Sequence, residues 1–221
     1  MDRSLSLVEI VKVLNDARRS LFSLEYRSFW SDVNLKIVGI SGSPNEDGNS
    51  ARIVETCLAL AEERGFEVER IDPAGLDVAP CSDCGTCRDE KGCSITDDMV
   101  GIYDLLEEAD GFFVVSPVYF GTLTAQLKAF FDRTLPLRRA GFALKNKVGG
   151  AAAVGGSRNG GQETTIQTIH AWMHIHGMIV VGDDSHFGGT LQREAVDDTL
   201  GMETARATIK KICDTIELIS R

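Results

Sequence analysis

The chain has 221 residues, of which 43% are hydrophobic and 25% charged, so it can bury one substantial core. Acidic residues outnumber basic ones 33 to 23, and this formal net charge of −10 disfavours binding to a nucleic-acid backbone. No segment has the uninterrupted apolar run of an export signal or a membrane span. We therefore expect a cytoplasmic protein that binds neither nucleic acid nor a membrane.

Residues 1–35 precede the regular alternation of strands and helices and are predicted to form a helical extension. Apolar side chains recur on one helical face, and aromatic residues follow: Leu7, Ile10, Val11, Leu14, Ala17 and Leu21, then Phe22, Tyr26, Phe29 and Trp30. We expect this helix to pack on the rest of the chain or on a neighbouring subunit. A membrane-surface helix is the alternative, which the scarcity of basic residues disfavours.

Residues 36–221 alternate β-rich runs with helical patterns, which is typical of a doubly wound α/β fold. Five predicted strands cover residues 36–40, 66–71, 111–115, 147–154 and 178–181. Helices are predicted from a cap at Asn49 or Ser50 to residue 63 and over residues 97–109, 122–135, 161–174 and 191–220, the last with a stripe of Ile209, Ile212, Ile216 and Ile219. The pattern predicts a five-stranded parallel sheet of the flavodoxin type.

The first strand leads directly into a polar, glycine-containing loop and then a helix. Hydroxyls, amides and backbone N–H groups at a helix N-terminus form an anion site. The loop has no lysine of the kind that a triphosphate site uses, so it predicts a phosphate monoester, and FMN fits. The candidate phosphate-binding residues are Ser41, Ser43, Pro44, Asn49 and Ser50. The alternative is a polar turn without a ligand.

Two further loops follow the third and fourth strands, whose carboxyl ends flank the expected ligand crevice. The first supplies aromatic and apolar faces beside free backbone groups, which suits a flat ring system. The second is glycine-rich and carries one arginine, which suits close approach of the backbone to a ligand. The candidate flavin-binding residues are Pro117, Val118, Tyr119, Phe120 and Gly121, then Gly156 and Arg158.

Four of the six cysteines form a C-x-x-C-x-x-C-x5-C run within the loop 80–94: Cys81, Cys84, Cys87 and Cys93. Four thiolates so close together suit an iron-sulfur cluster or a tetrahedral zinc ion, and reactive or packed thiols are the third reading. We expect the run to lie at the same sheet edge as the flavin, and Cys57 and Cys213 to be core residues. His170, His174 and His176 are predicted to be surface or interface residues of a helix.

With these residues in view, the chain resembles the iron-sulfur flavoprotein family within the NADPH-dependent FMN reductase group. The resemblance spans about residues 36–190 and rests on Ser41 to Pro44, Gly48 to Ser50, the cysteine run, Asp97 to Met99, Ser116 and Pro117 with Tyr119, and Gly155 to Glu163. It implies FMN in the three loops, a 4Fe-4S cluster on the four cysteines, and a homo-oligomer, either dimer or tetramer, in which flavin and cluster of different subunits are neighbours.

We expect an oxidoreductase that passes electrons between FMN and the cluster, from a ferredoxin-like donor to a small acceptor such as dioxygen, peroxide or a quinone. Two alternatives stay open at this point. One is an NAD(P)H-dependent FMN or quinone reductase with zinc or free thiols at the cysteines. The other is a flavin-bound interaction protein. No residue is assigned as a general acid or base.

Overall fold

The computed structural model describes residues 35–89 and 92–220, so the predicted amino-terminal helix lies outside the described residues. Within these residues, six parallel strands form one sheet: β1 (Lys36–Ser41), β2 (Glu67–Ile71), β3 (Gly111–Pro117), β4 (Val148–Gly155), β5 (Ile179–Val181) and β6 (Gly189–Gln192). Their order is β2-β1-β3-β4-β5, with β6 also paired to β4. This is the flavodoxin-type order, with its switch point between β1 and β3, as the sequence predicts.

The fifth strand position of the sheet is divided into two pieces. β5 pairs with the first part of β4 and β6 pairs with its last part, with loop 182–188 between them. The sequence predicts only β5 and wrongly assigns Leu191 and Gln192 to the last helix. A four-residue segment has too few positions to show the alternation of apolar and polar residues that marks a strand. Its backbone lies very close to β4, since a Cβ at Gly189 would be 2.7 Å from the Cβ of Ala152. Contact with β4 and the last helix therefore defines β6.

In the described part of the chain, six α-helices cover the two faces of the sheet: α1 (Asn49–Glu62), α2 (Tyr103–Glu108), α3 (Ala125–Arg133), α4 (Leu135–Arg139), α5 (Gln162–Ile175) and α6 (Thr199–Ile219). One core cluster joins α1 and α6 to the sheet, and a second cluster joins the remaining helices to the opposite face. A Cβ at Gly149 would lie 2.6 Å from Met173 Sδ. The small residues of β4 thus let the helices approach the sheet closely.

Several predicted helix boundaries are wrong. The helix predicted over 97–109 is a single turn, Asp98–Gly101, followed by the short α2, because the Asp98 carboxylate accepts a hydrogen bond from the Asp77 N–H at 2.7 Å and holds the chain there. The residue before α1 is Gly48, without a side-chain cap, and the Asn49 side chain instead accepts from the Ala195 N–H at 3.2 Å. Ile219 is half-exposed rather than buried.

The helices of the described range include none with the length and apolar character required to cross a bilayer.

Candidate functional site

The loop after β1 is anchored by hydrogen bonds to two other elements. The Gly42 N–H donates to the Val115 carbonyl of β3 at 2.7 Å, and the Thr124 hydroxyl donates to the Gly42 carbonyl at 2.6 Å. Thr124 is also the N-cap of α3, since its hydroxyl accepts from the Leu127 N–H at 3.2 Å. The sequence did not single out Thr124. These contacts fix the loop between β1, β3 and the start of α3.

Two buried hydroxyls flank this loop, at the end of β1 and in the first turn of α1, and are unsatisfied in the described part of the chain. Ser41 and Ser50 are 0% and 1% exposed, and neither hydroxyl has a hydrogen-bond partner among the described residues. Ser50 lies in the first turn of α1, where backbone N–H groups and the positive end of the helix dipole gather. A buried hydroxyl without a partner costs free energy. The arrangement is therefore suited to a phosphate group that accepts hydrogen bonds there.

The loop after β3 displays its aromatic rings instead of burying them. The Val118 N–H donates to the Val154 carbonyl at 2.9 Å, and Tyr119 and Thr122 pair across a tight turn. Phe120 occupies the left-handed region with φ of 48° and is fully exposed, while Tyr119 is half-exposed. Because a left-handed, exposed phenylalanine gains nothing from core packing, Phe120 does not serve to fill the core.

The glycine-rich loop after β4 is stabilised by hydrogen bonds to the buried side chain of Gln162. Its amide donates to the Ser157 carbonyl at 2.7 Å and to the Leu191 carbonyl at 3.0 Å, and it accepts from the Gly160 N–H at 2.7 Å. Arg158 is exposed on this loop. The sequence did not identify Gln162, whose role depends on a partner 29 residues away in β6.

The second and third loops touch each other. A Cβ at Gly161 would lie 3.1 Å from Val118 Cγ1 and 3.2 Å from the Gly121 Cα. Gly42 of the first loop contacts the two elements that flank the second loop, β3 at Val115 and the N-cap of α3 at Thr124. The three loops predicted to bind flavin are therefore adjacent at the carboxyl edge of β1, β3 and β4.

All four cysteines of the run line one open pocket of roughly 370 Å³, its solvent mouth included, together with residues of α3 and α4. Cys81 and Cys84 are exposed, whereas Cys87 and Cys93 are partly buried. Gly85 has φ of 84°, a left-handed turn that glycine adopts without strain. Within residues 35–89 and 92–220, no three His, Cys, Asp or Glu side chains are gathered as the ligands of one metal ion would be. The pocket nevertheless collects the four thiols that the sequence singles out.

Polar neighbours surround these thiols. The Cys84 Sγ lies 3.0 Å from the Ser94 hydroxyl and 3.4 Å from that of Thr86, and these hydrogen bonds lower the pKa of Cys84 to about 7. The Arg139 guanidinium donates to Cys87 Sγ at 2.9 Å. By contrast, burial raises the pKa of Cys57 to about 12. The prediction that Cys57 and Cys213 are core residues is confirmed, since both are buried.

A buried ion pair attaches the cysteine loop to α3. Arg133 contacts the Asp97 carboxylate at 2.5 and 2.9 Å and also donates to the carbonyls of Ala79 and Ile95, which flank the cysteine run. The two side chains are 1% and 6% exposed. The hydrogen bond from Arg133 holds the pKa of Asp97 below its usual value. Burial alone would lower the pKa of Arg133, but the bond to Asp97 outweighs it and raises that pKa.

The position of the pocket corrects one expectation. α3 begins at the carboxyl edge of the sheet, where Thr124 contacts the phosphate loop, and ends at Arg133 in the cysteine pocket. Its nine residues span about 14 Å. The segment between β2 and the cysteine run returns over the sheet face, where Leu76 and Val78 pack on the core. The cysteine run thus lies along this face and not beyond the carboxyl edge.

The histidine prediction is wrong for His176, which is 2% exposed. Its Nε2 lies 2.9 Å from the Thr134 hydroxyl, which also accepts from the Trp172 indole N–H at 2.9 Å. Trp172 stacks on Phe131 with ring centroids 4.2 Å apart. Burial, and then the charge of Arg138, lower the pKa of His176 to about 4. This network packs against the α3–α4 junction at Thr134, whose neighbours Arg133 and Leu135 line the cysteine pocket.

The donors present fit two redox groups. Unsatisfied serine hydroxyls, a helix N-terminus and exposed rings suit a flavin mononucleotide, and four thiols in one pocket suit an iron-sulfur cluster. Fold and loops together define a flavin-dependent oxidoreductase of the flavodoxin-like class.

The family model described as NADPH-dependent FMN reductase matches residues 35–190. The chain belongs to this family and, within it, to the iron-sulfur flavoproteins. A relative of that name from Methanosarcina thermophila is 57% identical over 187 residues, which cover 85% of this chain and 98% of the relative. Another from Methanocaldococcus jannaschii is 48% identical over 194 residues, covering 85% and 100%.

Solved structures share the fold at low sequence identity. A WrbA-like flavodoxin protein of Agrobacterium tumefaciens has a TM-score of 0.60 at 20% identity, covering 84% of this chain and 99% of the other. A flavodoxin from the domain Archaea has a TM-score of 0.56 at 16% identity, covering 83% and 99%. The predicted flavodoxin-like fold is confirmed.

Proposed function

We propose that this oxidoreductase carries electrons between FMN and a 4Fe-4S cluster, from a ferredoxin-like donor to a small acceptor such as dioxygen, peroxide or a quinone. The observation that carries the proposal is the presence of two separate sites. One is an anion-binding edge with two unsatisfied buried hydroxyls, and the other is a pocket lined by four thiols.

In this proposal the first loop binds the phosphate of FMN through Ser41, Ser43, Pro44, Asn49 and Ser50. The buried hydroxyls and the α1 N-terminus offer donors without a basic side chain, since no lysine or arginine lies between Lys36 and Arg52.

The second and third loops hold the ring system: Pro117, Val118, Tyr119, Phe120 and Gly121, with Gly156 and Arg158. Tyr119 and Phe120 offer exposed aromatic faces, and the exposed Arg158 can offset negative charge on the bound flavin.

The thiolates of Cys81, Cys84, Cys87 and Cys93 are the proposed ligands of the cluster. The relatives named iron-sulfur flavoproteins support this assignment over zinc. When bound, FMN would supply exchange between two-electron and one-electron transfers, and the cluster would supply one-electron storage. The Arg133–Asp97 pair positions the loop that carries the thiols.

The proposed working assembly is a homo-oligomer, either a dimer or a tetramer. About 14 Å of helix separates the phosphate loop from the cysteine pocket within one chain. We propose that the flavin of one subunit serves the cluster of its neighbour, in a cytoplasmic protein.

Stopped-flow mixing tests the proposed donor. The flavin should be bleached rapidly by a reduced bacterial-type ferredoxin and slowly by NADPH or NADH. The opposite order would support the second candidate, an NAD(P)H-dependent FMN or quinone reductase, which the description of the matched family favours.

A further inference from the structure

Arg139 makes a contact that the fold does not require. It is the last residue of α4 and is partly buried at the wall of the cysteine pocket, where its Nη1 donates to Cys87 Sγ at 2.9 Å. An N–H bond from a guanidinium to a sulfur anion is charge-assisted and is stronger than one between neutral groups. The contact places a positively charged guanidinium beside the sulfur of Cys87, which we assign as a cluster ligand.

Among the described residues of the pocket, no carboxylate forms an ion pair with Arg139. Arg133 lines the same pocket, but its charge is balanced by the buried Asp97. Asp132, also in the lining, is paired with Lys128 at 2.6 Å. Arg139 takes part in none of the ion pairs found among residues 35–89 and 92–220. Within the described part of the chain, its guanidinium is therefore directed at sulfur and not at a carboxylate.

The helix that carries Arg139 is firmly placed. Pro136 and Leu137 are buried, and the hydroxyl of Thr134, at the start of α4, bonds to Trp172 and His176. α4 also packs against the turn Thr86–Arg88, which contains Cys87. The donor and the sulfur are thus held by two segments in direct contact.

Resting on the cluster proposed above, we propose that Arg139 raises the reduction potential of that cluster through its hydrogen bond to Cys87. One-electron reduction takes an electron from a low-potential donor, leaves that donor oxidised by one electron, and neither forms nor breaks a bond. The added negative charge is shared with the ligand sulfurs, so a donor on sulfur stabilises the reduced state more than the oxidised state. Arg139 is a positioning and tuning residue, not a ligand.

The test is a dithionite titration of the anaerobically purified protein, followed by EPR, for wild type, Arg139→Gln and Arg138→Gln. Arg138 is the matched control, because it is the adjacent arginine of α4 but donates to the Ile175 carbonyl at 2.8 Å and stacks on Phe142. We expect R139Q to lower the equilibrium constant for one-electron reduction of the cluster at least tenfold. This corresponds to a fall of about 59 mV in the reduction potential. R138Q should shift it by less than half as much.

Equal shifts in R139Q and R138Q would overturn the inference, as would an unchanged potential in R139Q. If R139Q does not retain its iron, Arg139→Lys takes its place. It keeps the charge but loses the planar fork, so a smaller downward shift is expected and an unshifted potential contradicts the proposal. Wild-type protein without iron, sulfide and a reducible EPR signal would instead refute the proposed function itself, so the two failures are distinguishable.

Discussion

The proposed flavin edge, which consists of the loops after β1, β3 and β4, differs from the cysteine pocket in the groups that it offers to a negatively charged cofactor. At the flavin edge, backbone N–H groups, a helix terminus and the buried hydroxyls of Ser41 and Ser50 are available, and basic side chains are absent from the loop between Lys36 and Arg52. At the pocket, Arg133 and Arg139 stand beside the thiols. The first site follows from strand ends meeting at one edge, whereas the second depends on side chains that are distant in sequence.

The difference implies different sensitivities to substitution. A site made of backbone and hydroxyl donors should lose affinity gradually, since each donor contributes one bond. A pocket that depends on a buried ion pair and on four ligands should fail more abruptly. The following predictions are arranged from the largest expected effect to the smallest.

Removal of one thiol should abolish the cluster but spare the flavin. Cys84 is exposed, so Cys84→Ala costs little packing. We expect iron and acid-labile sulfide to fall at least about tenfold, with FMN content unchanged. Cys57→Ala, in the core and outside the pocket, is the control and should retain its iron. Iron content in C84A equal to wild type would contradict the assignment.

Removal of either partner of the buried pair should destabilise the chain strongly. Arg133→Met or Asp97→Asn leaves an uncompensated or weakly bonded buried group, at a cost of about 3–5 kcal/mol. The double variant should cost less than the sum of the single variants. Urea unfolding of the cofactor-free protein measures both. Lys128→Met, which removes the exposed pair with Asp132 on the same helix, should cost no more than about 1 kcal/mol. If Arg133→Met lowered the free energy of unfolding by as little as Lys128→Met, the account of the buried pair would be contradicted.

Stability should decline in mild acid because of His176. Its pKa is about 4 in the folded chain and 6.5 in the unfolded chain, so only the unfolded state takes up a proton in that window. The stabilisation is complete above pH 6.5 and is lost as pH falls towards 4, up to about 3 kcal/mol.

His176→Gln should flatten this dependence by about half, since burial also lowers the pKa of His170 to about 4. The exposed His174→Gln is the control. Urea midpoints measured from pH 7.5 down to 4.5 provide the comparison, and an unaltered slope in H176Q would contradict the account.

Ser50→Ala should weaken FMN binding without weakening the fold. Loss of one hydrogen bond to a charged phosphate costs about 1.5–3 kcal/mol, or roughly a 10- to 150-fold rise in Kd by flavin fluorescence titration. Because the Ser50 hydroxyl lacks a partner among the described residues, the cofactor-free variant should be at least as stable as wild type. Thr56→Ala, which removes a hydroxyl that donates to the Arg52 carbonyl of its own helix, should leave Kd unchanged.

The sequence predicts the sheet and the adjacency of the loops after β1, β3 and β4 well, because both depend on local patterns. β1, β3 and β4 are continuous apolar runs, and parallel strand ends must meet at one edge. β6 escaped prediction because its four residues have no period of their own. The expectation for His176 failed because its hydrogen-bond partner, Thr134, is 42 residues away in the sequence.

The cysteine pocket was predictable in its ligands but not in its surroundings. The spacing of the four cysteines is a local signal, whereas Arg133 and Asp97 are 36 residues apart and Arg139 and Cys87 are 52 apart. Nothing in the helical pattern around Arg133 distinguishes a buried arginine from an exposed one. Long-range polar contacts therefore determine where the pocket lies, which is why its place along the sheet face differed from the expectation.

The most direct test of the central claim is the content of iron, acid-labile sulfide and FMN in anaerobically purified protein, with EPR after reduction. We predict four irons, four sulfides and one FMN per chain, and an EPR signal of a reduced 4Fe-4S cluster. Zinc in place of iron, or a chain that carries FMN and four free thiols, would contradict the claim that this protein couples a flavin to an iron-sulfur cluster.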